Sequence, residues 1–129
     1  MNQYLNNSLD LAARILLSIL FLVAGFGKIG GYEATAGYMQ AMGVWSGLLP
    51  LVIITEVVGA IAIIIGWQTR IVAFLLAGFT LLSALFFHTN FADQMQQILF
   101  MKNLAIAGGL LLLVRHGAGA WSIDARKHG

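Results

Sequence analysis

The chain has 129 residues, of which 60% are hydrophobic and 9% charged, with no cysteine and one proline. Soluble domains carry about 25% charged and about 45–50% apolar residues, so a soluble enzyme and a disordered tail are both excluded. Seven Lys and Arg against five Asp and Glu are too sparse for a nucleic-acid stripe, and the missing cysteines exclude disulfide exchange and Cys-ligated metal centres.

A membrane helix needs about 20 mostly apolar residues, and backbone in lipid must satisfy its own hydrogen bonds, so the spans are helices. The first qualifying stretch is Leu9–Ile29. Its flank holds an Ala34-x-Ala36 pair, but Lys and Arg are absent ahead of it and its length suits a span, so it reads as one rather than a cleaved leader. The connection Gly30–Gly47 has a weak apolar face, with Tyr32, Tyr38 and Trp45 suited to a headgroup belt. That predicts a short helix lying in the interface. The second span, Leu48–Gly66, takes Pro50 in its first turn, where a missing N–H costs nothing. Only Trp67, Gln68 and Thr69 separate it from the third span, Arg70–His88. A second interfacial helix is expected over Thr89–Gln97, with Asn90 as N-cap and Asp93 in its first turn. The fourth span is Ile98–Arg115. The expected fold is an all-α membrane protein: one domain over residues 1–129, a four-transmembrane-helix bundle with short interfacial helices in the two outer loops.

Both termini then share a side with Arg14, Arg70, Arg115, Arg126 and Lys127, against Lys28 and Lys102 on the other. By the positive-inside rule both termini are cytoplasmic. The expected location is a bacterial plasma (inner) membrane, crossed several times.

Ionisable residues inside spans are costly, so they carry the functional information. At 100° per residue, the first helix aligns Asp10, Arg14, Ser18, Phe21, Gly25 and Lys28. The second groups Glu56 with Gly59, the third ends on Arg70 and His88, and the fourth groups Lys102 with Gly109. Small residues on those faces permit close helix approach, which turns the polar groups inward. At 1.5 Å per residue, Glu56 lies roughly 12 Å and Lys102 about 6 Å from the outer helix ends. Glu56, Lys102, Lys28, His88 and Asn103 are therefore the candidate polar pocket. Plainer roles are open for several of them. Arg14 has the i,i+4 spacing for an ion pair with Asp10; Lys28 suits a helix C-terminus; Arg70 marks topology; His88 can cap a helix. A protonated Glu56 can also simply clasp helices together. His88, His116 and His128 lie at different levels, so one subunit can build neither a bis-His haem nor a two-histidine metal site, and no metal centre or intrinsic cofactor is expected.

The runs AARILLSILFLVAGFGKIGGY, Glu56-x-x-Gly59, GWQTR, HTNFADQ, FMKNLAIAGGLLLL and GAGAWSID, in that order, resemble the DoxX family across nearly the whole chain. The resemblance implies a four-helix bacterial inner-membrane protein. The family takes its name from relatives of thiosulfate:quinone oxidoreductase subunits, and other members are associated with redox stress and quinone-like aromatics. Arg14, Lys28, Glu56, Gly59, Arg70, Lys102 and Asn103 fall on its recurring polar and glycine positions, without a catalytic role to transfer. The lack of cysteine stands against direct thiol chemistry. Three functions follow as alternatives. One is an accessory component of a membrane redox or stress system that binds a quinone or aromatic beside an oxidoreductase partner. Another is a homo-oligomeric exporter with Glu56 as proton-coupled gate. The last is a non-catalytic scaffold.

Overall fold

The computed structural model describes residues 2–128, without the side chains of Lys127 and His128. The topological reading of Lys127 and the tail position of His128 therefore lie outside the described side chains. The elements are α1 (Gln3–Gly30), α2 (Tyr32–Ala41), a 3-10 turn (Ser46–Leu48), α3 (Leu49–Ile65), α4 (Thr69–Phe87), α5 (Gln94–His116) and α6 (Ile123–His128). Four helical segments, with the 3-10 turn leading into α3, are long and apolar enough to cross a membrane. They match the expected bundle.

α1 is longer than its apolar run. The side chain of Asn2 accepts from the Leu5 N–H, a cap that starts the helix a turn and a half before Leu9. Its 28 residues reach about 42 Å, beyond a hydrocarbon core of about 30 Å. α2 forms as expected. The second outer loop does not become a helix of its own. Thr89–Asp93 folds as turns, and α5 starts at Gln94 with Asp93, not Asn90, as its cap; Asp93 Oδ1 accepts from the Met95 N–H at 3.0 Å. Packing accounts for the difference: Phe91 sits edge-on to Phe100 at 5.1 Å, and Gln97 Nε2 donates to the Phe91 carbonyl, which holds the loop back against α5.

The bundle consists of two antiparallel pairs, α1 with α3 and α4 with α5, which meet each other less extensively. Apolar side chains such as Leu16, Val23, Val58, Phe74, Leu85 and Leu112 face outward, while the interior takes alanines and polar groups. This inverted pattern suits lipid, where small residues bring helices together. Phe21, Ile63, Leu76 and Leu110, with Ala60, Ala73, Ala77 and Ala107, form a buried apolar layer across the middle.

At the end carrying both termini, the tail folds back onto the α3–α4 hairpin. Gly66, at φ +74°, ends α3 in the left-handed region, as helix C-caps commonly require. Asp124 accepts from the backbone N–H groups of Gln68 and Thr69 at 2.8 and 2.9 Å, capping α4. Its own N–H donates to the Gly66 carbonyl. Arg14, fully buried, donates to the carbonyls of Ile63, Ile64 and Trp121. The expected Asp10–Arg14 ion pair is thus replaced. The last carbonyls of α3 lack intrahelical donors, and the guanidinium fork fits several acceptors at once.

Candidate functional site

At the opposite end the two helix pairs enclose a cavity of about 610 Å³. α1 contributes Phe21 and Lys28, α3 Glu56, α4 Phe79, Thr80 and Phe87, and α5 Lys102 and Asn103. α2 covers it through Tyr38 and Met39. Tyr38 stacks on Phe87 at 5.5 Å, and its hydroxyl donates to the Phe87 carbonyl. Glu56, Lys102, Lys28, His88 and Asn103 all line this one space. Its volume lies in the range of about 300–1,000 Å³ common for small-molecule sites.

Its charged centre is an ion pair. Lys28 Nζ lies 2.8 Å from Glu56 Oε1, with the lysine side chain 28% and the glutamate side chain 5% exposed. Helical periodicity sets Lys28 one turn beyond Gly25 on the inward stripe of α1. Gly25 decides the distance between the helices: a Cβ there would collide with Val57 and come within 3.4 Å of the Glu56 Cβ. Without a side chain at that point, α1 lies against α3 and Lys28 can turn back to the carboxylate instead of extending to the headgroups. The ammonium is the one partner of Glu56 Oε1 among the described residues.

Asn103 donates from Nδ2 to the Thr80 carbonyl at 3.2 Å, joining α5 to α4. Its second amide hydrogen and its oxygen remain for a ligand. Lys102 is placed differently from expectation. The buried face of α5 runs through Ala107, Leu110 and Leu113, with Asn103 half-buried, so Lys102 is an exposed residue at the cavity rim. It does not reach Glu56, and it has no ion-pair partner among the described residues. The physical reason is desolvation: burying an amide that can hydrogen-bond costs far less than burying an unpaired ammonium. His88 is half-buried, with Nδ1 2.9 Å from Gln96 Oε1, leaving Nε2 for the cavity.

The residues assigned to structure spread over both ends. Gly59 receives Leu76 of α4 and Gly109 receives Leu17 of α1. Arg70 lies over Gly117 at the terminal end, and Asp10 lies beside Gly119 there. Sequence periodicity missed Tyr38, Phe79, Thr80 and Ser83 as cavity walls, and Trp121 and Asp124 as tail anchors. The tail carried one usable signal: Ser122 caps α6 by accepting from the Ala125 N–H.

Residues 9–89 match the DoxX family. The chain belongs to the DoxX family. It is 56% identical over 114 residues to inner membrane protein YqjF of Escherichia coli, covering 88% of each chain. Inner membrane protein YphA of Escherichia coli is 38% identical over 123 residues, covering 90% of this chain and 88% of YphA. The ER-derived vesicles protein ERV29 of Saccharomyces cerevisiae is 28% identical over 122 residues, of which the match takes up a third of the yeast protein (33%). No solved structure matches.

Proposed function

We propose that this DoxX-family protein resides in a bacterial inner membrane and binds a quinone-like aromatic molecule in the cavity between its helix pairs, as an accessory component of a membrane redox or stress-response system. The observation that carries this reading is the chemistry of the walls. Phe21, Phe79, Phe87 and Tyr38 supply ring faces, while Lys28, Lys102, Asn103 and His88 supply donors for carbonyl oxygens. Few polar groups converging in a mostly apolar pocket is the usual composition of a small-molecule site. Such a ligand would bring its own electron chemistry, and the protein would hold it and present N–H donors to its oxygens. The apolar layer of Phe21, Ile63, Leu76 and Leu110 below the cavity favours a binding chamber closed toward the terminal end over a proton-coupled path through Glu56.

The test is equilibrium binding of a tail-less naphthoquinone to purified protein in lipid nanodiscs. Saturable binding is expected, weakened about tenfold by Glu56→Gln, equivalent to about 1.4 kcal/mol. The double variant Lys28→Met with Glu56→Gln leaves no unpaired charge, so it serves where the single variant fails to fold, and the same loss is expected from it. Binding that is not saturable, or unchanged in both variants, would overturn the proposal.

A further inference from the structure

The cavity has two different sides. α3 and α4 are joined by a tight hairpin and touch where Gly59 meets Leu76; beyond that point the cavity occupies the space between them. Its walls there include Leu51, Leu82 and Phe86, which are 60%, 54% and 55% exposed. Those side chains line the cavity and face outward at once, so the cavity has an apolar opening between α3 and α4, two of the helices long and apolar enough to cross a membrane. Across the bundle, between α1 and α5, the wall is Leu20, Ala24 and Ile106, all half-buried, with the cation Lys102 at the rim. The Lys28 charge is balanced by Glu56, which leaves Lys102 as an unbalanced positive charge there.

Resting on the aromatic-binding reading above, we infer that the ligand is a two-part lipid-soluble molecule. A compact head bearing acceptor or anionic oxygens sits between Lys102, Lys28 and Asn103, and an apolar tail leaves through the α3–α4 gap into the bilayer. Entry is therefore sideways from the lipid. An opening lined by Leu and Phe in hydrocarbon offers an alkyl or isoprenoid chain the same surroundings as the membrane, so passage costs the tail nothing. A polar head gains its donors only inside.

The cysteine-free chain makes the placement measurable. Single cysteines at Leu82 on α4 and at Met101 on α5, both exposed and brought level by the Asn103–Thr80 contact between the two antiparallel helices, are labelled with a fluorophore in nanodiscs. The probe is a naphthoquinone carrying an alkyl tail with a nitroxide quencher at its end, dosed per mole of lipid. Quenching at Leu82→Cys is expected to exceed that at Met101→Cys by several-fold, and an excess of tail-less naphthoquinone should relieve it. Equal quenching at both labels, stronger quenching at Met101→Cys, or quenching that the tail-less ring does not relieve would overturn the inference while leaving ring binding standing. Absence of saturable ring binding in the separate titration would remove both.

Discussion

At the scale of single residues, the informative contrast is between Arg14 and Glu56, two charges buried in one bundle. Arg14 donates to three backbone carbonyls through its two terminal nitrogens, whereas Glu56 meets one ammonium and lines open space. The sequence placed both on inward faces, because their periodicity with glycine and serine is local information. It missed the partner of Arg14, since Trp121 lies 107 positions away and an i,i+4 carboxylate was the nearer candidate. It also turned Lys102 inward, because a one-residue rotation of α5 is decided by Asn103 bonding to Thr80, a contact between helices. The ion pair predicts a specific stability pattern. Removing one member of a buried pair strands the other charge, at about 3–5 kcal/mol, while replacing both is often near neutral. With Lys28 partly exposed, Lys28→Met and Glu56→Gln are each expected to cost about 3 kcal/mol, and the double variant clearly less than either. Thermal unfolding in detergent, run as a double-mutant cycle, reads this directly; additive losses would show that the two side chains do not depend on each other.

At the scale of elements, the hairpins and small-residue contacts set where the pairs close and where they part. The helices themselves were legible from runs of apolar residues. The second outer loop was not, because Phe91 against Phe100 outweighs the weak helical signals of Thr89–Gln97. Two substitutions two residues apart on α1, on nearly opposite faces, separate packing from propensity. Gly25→Ala puts a methyl group into Val57, which is expected to cost about 1–3 kcal/mol as overpacking and to loosen the Lys28–Glu56 pair. Gly27→Ala meets nothing within 4 Å, and should leave stability unchanged or raise it by up to about 1 kcal/mol through helix propensity. Equal melting temperatures for the two variants would contradict the close α1–α3 approach. The tail is a second test of the same scale. Asp124→Ala removes a cap from two N–H groups of α4, and a loss of about 1–2 kcal/mol is expected. The proposed quinone binding should change less than twofold, because the apolar layer separates the clasp from the cavity; a tenfold change would show that the two ends are coupled.

At the scale of the whole molecule, the two ends of the bundle differ in kind. One is closed by Arg14, Asp124 and Tyr4, whose ring meets Trp121 edge-on at 5.4 Å. The other is held apart around a cavity and covered by α2. Charge separates the ends as well. Among the described residues, with Lys28 paired to Glu56, the exposed cation of the cavity end is Lys102, against exposed Arg70, Arg115 and Arg126 at the terminal end. The exposed cations thus keep the Lys and Arg bias toward the terminal end that orients membrane proteins, since short segments rich in Lys and Arg are retained on the cytoplasmic side. The expected orientation has both termini inside the cell and α2 with the cavity facing out. Single cysteines introduced at Glu33 in α2 and at Arg126 in α6, both exposed, report it through a membrane-impermeant maleimide. In cells whose outer barrier is opened but whose inner membrane is intact, Glu33→Cys should label fully and Arg126→Cys only after the inner membrane is permeabilised. The reverse pattern would put the terminal clasp outside, and the proposed ligand would then enter the cavity from the cytoplasmic leaflet.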